Sequence, residues 1–309
     1  MATATKSRKS TKAVEKTEKP SVYDTVTAKI VELMERGVCP WSRPWDAPGL
    51  LPALPLRHNG EHYNGINILI LWISAMEKGY RSSFWMTYQQ AQELKAQVRK
   101  GEKATVIVYA NTFDKKSKDE TTGEESVERI PYLKTYCVFN ADQIDGLPES
   151  FYAKAPERNA AAQANRRKDL DELISATGAT ITENDSQHAY YDRSADSITL
   201  PAFEYFKSAD AFYATSFHEL AHWTGAPHRL NRIKGEKPFD EKYCREELVA
   251  ELAAAFLCAA CEVSPAQMEQ SAAYLSHFVA LLKDDSKAIF RAATLATAAA
   301  EYILAASGK

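Results

Sequence analysis

The amino-acid sequence predicts an α+β fold divided into two domains. The chain has 309 residues, which is long for one domain of typical size. Its first half holds two runs of strand-forming residues, 105–111 and 132–139, whereas its second half carries long helical patterns. Between them, 146–164 contains glycine and proline and lacks apolar periodicity. The two strands of the first half pair back on each other beside helices, which indicates a small α+β domain, and a second domain follows the linker.

Composition indicates a folded protein that neither crosses a membrane nor is exported. Hydrophobic residues make up 45% of the chain and charged residues 26%, which is ordinary for a globular protein. The longest apolar run, 66–76, is far shorter than the ~20 residues of a membrane span. The N-terminus lacks the apolar core of a secretory signal, and five scattered cysteines suit a reducing compartment. We expect a cytoplasmic protein without a membrane partner.

The N-terminal segment and the first domain follow from simple local signals. Residues 1–20 are rich in lysine, serine and threonine, and we expect a disordered basic tail. The first domain, 21–145, opens with a helix that Ser21 caps and that ends near Gly37. The later predicted elements are a proline-rich loop at 38–60, helices at 69–76 and 88–98, and strands at 105–111 and 132–139 around a charged hairpin tip at 114–128.

After the linker at 146–164, the second domain is predicted to span 165–309. The predicted elements are a helix at 165–177, a strand at 179–182, a hairpin of 189–192 with 197–200, a helix from Ser208 to Gly225, and an alanine-rich helix that begins near Arg245. Serine is a favoured residue at a helix start, and Gly225 is followed closely by a proline.

The helix from Ser208 contains the sequence His218-Glu219-Leu220-Ala221-His222. Residues four apart on a helix project from one face, so both imidazoles can reach one divalent ion. Glu219 lies beside the first ligand, where it can act as general base toward a water molecule. This pattern predicts a catalytic zinc site, with manganese as the alternative ion.

A zinc site of this kind takes three protein ligands, and the third must come from elsewhere. No further histidine follows at the spacing of an H-x-x-G-x-x-H continuation. The stretch 245–252 (REELVAEL) resembles the Glu-zincin pattern, which implies that Glu247 is the ligand and that Glu251 hydrogen-bonds the first histidine. The reverse assignment stays open, and so does a solvated acidic helix start. Glu246 points about 100° away from Glu247 and is less favoured.

Aromatic residues alternate with basic residues in the first domain. This combination is typical of proteins that bind single-stranded nucleic acid, because rings stack on bases and cations contact phosphates. The alternative is ordinary core packing of the aromatic rings. The candidate DNA contacts are Trp41, Arg43, Trp45, Tyr63, Arg81, Trp85, Arg99, Lys100 and Lys103.

Several motifs resemble those of ArdC-type antirestriction proteins. They are GVCPWSRPW (37–45), YNGIN (63–67), WMTYQQA (85–91), VRKGEK (98–103) and YCVFNADQ (136–143), followed by FHELAHWTG, HRLNR and REELVAEL. The resemblance implies a small α+β domain that binds single-stranded DNA, followed by a zincin-like metallopeptidase domain. It further implies protection of incoming plasmid DNA from host restriction during conjugation.

Two alternatives to this function remain at the level of the sequence. One is a DNA-coating protein whose metal site is structural. The other is a cytoplasmic metalloprotease without a DNA role. If the site is catalytic, its substrate would be a peptide or protein, such as a component of a restriction system.

Overall fold

The computed structural model describes residues 20–41, 53–118, 125–152, 165–185, 188–233, 241–264 and 272–308, with backbone only at 112–118, 125–131 and 272–274. Four of the predictions above fall wholly or mainly outside these ranges. They are the tail at 1–20, the candidate DNA contacts Arg43 and Trp45, and most of the linker at 146–164.

The first half begins with the predicted helix. α1 spans Val22–Glu35, and Ser21 caps it by accepting a hydrogen bond from the Asp24 amide. The elements that follow are β1 (Leu56–Arg57), α2 (Ile66–Lys78), β2 (Phe84–Met86), α3 (Tyr88–Glu93), β3 (Gln97–Val98), β4 (Thr105–Lys118), β5 (Glu125–Asn140) and β6 (Ile144–Asp145). The four-stranded sheet has the order β1-β2-β5-β4, and β3 pairs separately with β6.

The prediction of a helix over 88–98 was wrong at its C-terminal end. α3 stops at Glu93, and the chain turns through Lys95, whose φ of 60° lies in the left-handed region. Residues 97 and 98 then form β3, which is antiparallel to β6. Pairing with a distant strand therefore replaces the helical conformation that the local pattern favours.

The central hairpin is longer than predicted. β4 and β5 pair in antiparallel register from Thr105↔Val138 to Lys118↔Glu125. Much of the segment predicted as a charged hairpin tip, 114–128, is therefore strand. The register continues through Asp114↔Arg129, so strand pairing extends into a segment of low hydrophobicity.

In the second half, the predicted order of elements is confirmed. The elements are α4 (Lys168–Ala176), β7 (Thr180–Asn184), β8 (Tyr190–Asp192), β9 (Ser197–Pro201), α5 (Ala209–Thr224), α6 (Glu241–Ala260), α7 (Ala272–Asp284) and α8 (Ala288–Ala305). β8 and β9 form the predicted hairpin, and the sheet order β7-β9-β8 leaves β8 at an edge. Ser208 caps α5 and Gly225 follows its last residue, as expected.

The two halves share one hydrophobic core. Buried residues of α1 and α2 belong to the same cluster as those of α5, α6 and α8. Edge-to-face ring pairs cross between the halves, among them Tyr23 with Phe290, Trp41 with Phe278, and Trp72 with Phe256. The domain limits at 145 and 165 stay predictions, and the core extends across them.

Among the described helices, α8 is long and apolar enough, by length and composition alone, to cross a membrane. In this fold it packs against α6 in the core. Its most deeply buried residues, Ile289, Ala293, Ala296, Ala299 and Ile303, recur at helical spacing along one side. A core helix explains this apolar composition.

Candidate metal centre

Helix α5 holds its histidines inside the protein. His218 and Glu219 are both 7% exposed, and the neighbouring Phe217, Leu220 and Ala221 are fully buried. α5 packs against α6, where small buried residues such as Ala250 and Ala253 allow close approach of the two helices. Side chains from the facing turns of α5 and α6 therefore meet in a site that is nearly closed to water.

Two histidines and one glutamate converge there. The Nε2 atoms of His218 and His222 lie 3.1 Å apart. Glu247 of α6 places Oε2 3.6 Å from His218 Nε2 and Oε1 3.4 Å from His222 Nε2. Ligand atoms bound tetrahedrally to zinc at the usual bond lengths lie about 3.3 Å from one another. The spacing of these three side chains therefore fits a divalent ion between them.

The charges of the cluster point to the same conclusion. Burial raises the pKa of the Glu247 carboxyl, but its contacts with His218 and His222 outweigh burial and hold the pKa well below its ordinary range. Burial lowers the pKa of His222, whereas the carboxylates of Glu246 and Glu247 raise it to about 10. The carboxylates thus favour positive charge among the ring nitrogens, which is the place that a metal ion would take.

A buried chain of contacts holds the outer side of His222. Its Nδ1 lies 3.3 Å from Glu246 Oε1. The Arg232 guanidinium donates two hydrogen bonds to the same carboxylate, from Nε to Oε2 at 3.0 Å and from Nη2 to Oε1 at 3.1 Å. Arg232 also donates to Thr224 Oγ1 at 2.7 Å and to the Ala221 carbonyl. The side chains of Arg232 and Glu246 are only 5% and 7% exposed.

Glu246 is not one of the three side chains that could hold the ion, but it lies beside one of them, in a position that the sequence did not predict. An angle of about 100° on α6 does keep Glu246 away from the Nε2 side of the rings. Nδ1 lies on the opposite side of the imidazole, however, and a residue one position before Glu247 reaches it. Metal-ligating histidines usually donate their second ring N–H to such a partner, which fixes the orientation of the ring.

Glu251 lies close to the cluster. It is 7% exposed, and its charge helps to raise the pKa of His218, after the opposing effect of burial and the larger effect of Glu247. Within the described residues, His218 Nδ1 has no hydrogen-bond partner. The role of Glu251 beside His218 therefore stays a prediction. Among the described side chains, the Glu219 carboxylate makes no hydrogen bond to either ring, but its charge helps to raise the pKa of both histidines.

Three candidate DNA contacts prove to be core residues. Trp41 and Trp85 are 1% exposed and Tyr63 is 7% exposed. Tyr63 donates from its hydroxyl to the Trp85 carbonyl at 3.3 Å, and Trp85 packs edge-to-face on Tyr80. These rings have no free face for a base, so the prediction that they stack on DNA was wrong. Core packing, the alternative explanation, accounts for all three.

The basic candidates that the structure describes are on the surface. Arg81, Arg99, Lys100 and Lys103 are all exposed. Arg99 is tied to Glu102 at 3.1 Å and to Asp145 at 3.2 Å, which reduces its availability to phosphates. The structure therefore separates the predicted aromatic set from the basic set: the described rings are inside and the described cations are outside.

Sequence reasoning missed a group of exposed tyrosines on the central hairpin. Tyr109 of β4 is 46% exposed and Tyr136 of β5 is 45% exposed, and their ring centroids lie 6.2 Å apart. Lys134 lies over the ring of Tyr132 at 5.3 Å. The spacing of Tyr132, Lys134 and Tyr136 at every second position of a predicted strand would have shown that they share a face.

Comparison with known proteins assigns a family to each half. Residues 20–139 match the family described as the N-terminal domain of anti-restriction factor ArdC. Residues 168–295 match a zincin-like metallopeptidase family. The second match contains the whole cluster of His218, His222 and Glu247.

Relatives with similar sequences include proteins of different lengths. Protein y4eC of Sinorhizobium fredii is 34% identical over 286 residues, which is 91% of each chain. The DNA primase TraC of Escherichia coli is 36% identical over 300 residues, which is 93% of this chain but 20% of TraC. A second TraC of Escherichia coli is 36% identical over 302 residues, or 27% of its length. The chain thus spans between a fifth and just over a quarter of the length of these primases.

Solved structures give the same assignment. The metal-free crystal structure of the antirestriction ArdC protein from the R388 plasmid matches with a TM-score of 0.79 and 43% identity, covering 93% of this chain and 98% of that one. Its Mn(II)-bound structure matches with a TM-score of 0.77 and 41% identity, covering 94% and 99%. Because likeness extends through both halves of the molecule, the chain belongs to the ArdC family of antirestriction proteins and carries its zincin-like metallopeptidase region.

Proposed function

We propose that this protein binds single-stranded DNA, protects incoming plasmid DNA from host restriction during conjugation, and uses a zinc-dependent peptidase-type centre. It would act in the cytoplasm of the recipient cell. The observation that carries the proposal is the complete cluster of His218, His222 and Glu247 beside Glu219, in a chain that resembles an ArdC protein over nearly its full length.

Zinc is the proposed ion, with manganese as the alternative. Two imidazoles and one carboxylate are a donor set that catalytic zinc sites use. Nitrogen and oxygen sites of this kind generally bind zinc more tightly than manganese. The comparison structure named as Mn(II)-bound is the reason to test both. Elemental analysis of the purified full-length protein should give about one zinc per chain; manganese in its place would reverse the assignment.

Glu219 would perform the proton transfers of amide hydrolysis. When bound, a zinc ion supplies Lewis acidity, which polarises a carbonyl group and makes water more acidic. Glu219 is 7% exposed and adjacent in sequence to His218, so its carboxylate can take a proton from the attacking water. The same carboxyl would then pass that proton to the departing amine. His218, His222 and Glu247 hold their positions throughout.

The edge strand β8 offers a place for an extended peptide. It pairs on one side with β9, and both strands contact α5, the helix of the two histidines. A peptide that adds to the open edge of β8 would gain backbone hydrogen bonds in a fixed register. We propose a protein segment in extended conformation as the substrate, for example from a component of the restriction system.

The experiment compares transfer of a restriction-sensitive plasmid into a restricting host with wild type, Glu219→Gln and Glu172→Gln. Glu172 lies on α4, and its side chain is 68% exposed, so it serves as the matched control. Glu219→Gln should retain its metal and lose protection, whereas Glu172→Gln should protect like wild type. Full protection by Glu219→Gln would show that hydrolysis is not required.

That outcome would favour a second candidate function, a DNA-coating protein whose metal ion is structural. One observation supports it: the cluster joins α5 to α6 in the middle of the shared core. An ion bound there stabilises the folded state whether or not turnover occurs. Removal of the metal with a chelator should then lower the melting temperature, while binding of single-stranded DNA continues.

A cytoplasmic metalloprotease without a DNA role is the third candidate. Binding of a labelled single strand by the full-length protein separates it from the other two. Affinity that falls as salt increases indicates phosphate contacts. If the protein does not bind the strand even at low salt, the metalloprotease without a DNA role is the candidate that remains.

A further inference from the structure

We propose that single-stranded DNA lies along one face of the β4–β5 hairpin, where Tyr109, Tyr132 and Tyr136 stack on bases and Lys134 contacts phosphates. We call this face the tyrosine strip. The inference rests on the proposed single-stranded DNA binding and names the surface that performs it.

The strand register assembles the strip. Ile107 pairs with Tyr136, Tyr109 with Lys134, and Asn111 with Tyr132. Residues that pair directly across an antiparallel ladder, and those two positions along, point to the same side of the sheet. The three tyrosines and Lys134 therefore follow one another along a single face, with the rings of Tyr109 and Tyr136 6.2 Å apart.

Exposure changes along this face. At the base of the hairpin, Thr105 and Val138 are buried, and Thr105 hydrogen-bonds Ser74 of α2 at 2.6 Å. Beyond α2 the same face emerges from the core, and Tyr109 and Tyr136 are 46% and 45% exposed. Of the nine large apolar side chains that are exposed in the described part of the chain, two, Tyr109 and Tyr136, lie on this face. Packing explains the buried end of the face, but it does not explain the exposure of Tyr109 and Tyr136.

The charge near the tyrosine strip suits a polyanion. The segments 103–111 and 132–138 contain two lysines, Lys103 and Lys134, and no aspartate or glutamate. The hairpin as a whole, 105–140, has five Lys or Arg and six Asp or Glu, so the positive charge is confined to these segments. Within the described residues, Lys134 has no carboxylate partner and lies over the Tyr132 ring. Its ammonium group remains available to a phosphate.

Single-stranded rather than double-stranded DNA fits this chemistry. In a duplex the faces of the bases are covered by neighbouring base pairs, whereas a single strand can turn its bases toward aromatic rings. Lys103 lies two residues before β4 and six residues from Tyr109, which is at most roughly 20 Å along the chain. A strand of several nucleotides could therefore contact the tyrosines with its bases and Lys103 with its backbone.

The experiment measures the Kd of a fluorescent oligothymidine for the full-length protein by anisotropy. The double variant Tyr109→Ala, Tyr136→Ala should weaken binding about tenfold or more, since loss of one stacked base typically costs at least fivefold. The corresponding double Phe variant keeps both rings and should bind within about twofold of wild type. Tyr205→Ala removes a tyrosine that is 63% exposed in the second half and should leave Kd unchanged.

Lys134→Gln provides an independent measurement. The slope of log affinity against log salt should become shallower by about 0.7, the value for one phosphate contact to a single strand. Melting temperature and metal content, measured for every variant, identify any that are misfolded. If wild type binds and the double Ala variant binds equally well, the tyrosine strip is wrong although DNA binding stands. If wild type does not bind, the proposed DNA function itself fails.

Discussion

Replacement of Arg232 by glutamine tests how the metal centre is held in position. The guanidinium makes two contacts with Glu246, at 3.0 and 3.1 Å, and fixes that carboxylate against His222 Nδ1. Without Arg232, Glu246 is free to rotate, and the ring of His222 loses its support. Loss of such an outer partner typically weakens metal binding 10- to 100-fold.

A cost in stability is expected as well. The side chains of Arg232 and Glu246 are 5% and 7% exposed, so removal of one charge leaves the other buried and uncompensated. Breaking a buried pair in this way destabilises a protein by about 3–5 kcal/mol. Metal affinity must therefore be measured at a temperature where the variant is fully folded, by competition with a chromophoric chelator.

Arg229→Gln is the matched control. Arg229 comes from the same loop and its side chain is also 5% exposed, but its carboxylate partner is Asp196, not Glu246. This variant should lose stability and keep the metal affinity of wild type. Arg232→Lys, which retains the charge without the two-pronged geometry, should be intermediate. Equal affinity in Arg232→Gln and Arg229→Gln would refute the positioning role.

Three further predictions concern the core, an ion pair and a close contact. Trp85→Ala should cost about 3–5 kcal/mol in urea unfolding, because the side chain is buried, and should leave the DNA affinity of the folded protein unchanged. Hydrogen bonds from Arg229 lower the pKa of Asp196 to about 2 against the opposing effect of burial. The ionised Asp196 carboxylate therefore contributes fully to the free energy of unfolding above pH ~4, and this contribution is lost as pH falls through 2. The Asp196 side chain is 39% exposed, so Asp196→Asn should be less stable than wild type by only about 1 kcal/mol in urea unfolding at pH 7. A difference in stability that stays constant down to pH 2 would contradict the lowered pKa of Asp196. A Cβ at Gly225 would lie 2.6 Å from Ile233 Cγ1, so Gly225→Ala should displace the neighbouring Arg232 and weaken metal binding in the same competition assay, though less than Arg232→Gln.

The parts of the centre that local chemistry determines were predictable from sequence. Helical spacing alone brings His218 and His222 to one face, and Ser208 and Gly225 mark the ends of α5. The prediction of Glu247 as a ligand required more than local chemistry, since it depended on resemblance to a known sequence pattern. The structure places it 3.6 Å from His218.

The remaining features depend on contacts between distant segments. The role of Glu246 depends on how α6 packs against α5 and on the hydrogen bond from Arg232 back to α5. Local sequence periodicity predicts neither contact. Burial of Trp41 likewise depends on α7, which supplies Phe278. A tryptophan beside arginines has the same local sequence whether it packs inside or binds a base.

The shared core has a consequence for how such proteins can be inherited. Trp41 and Trp72 of the first half fit against Phe278 and Phe256 of the second, so each half is shaped to its partner. Recombination between relatives near residues 146–164 would join surfaces that did not evolve together, and it would cost packing energy on both sides. Selection should therefore keep the two halves together as one inherited unit. The TraC primase matches this chain as one stretch of 300 residues, with both halves side by side in a much longer protein.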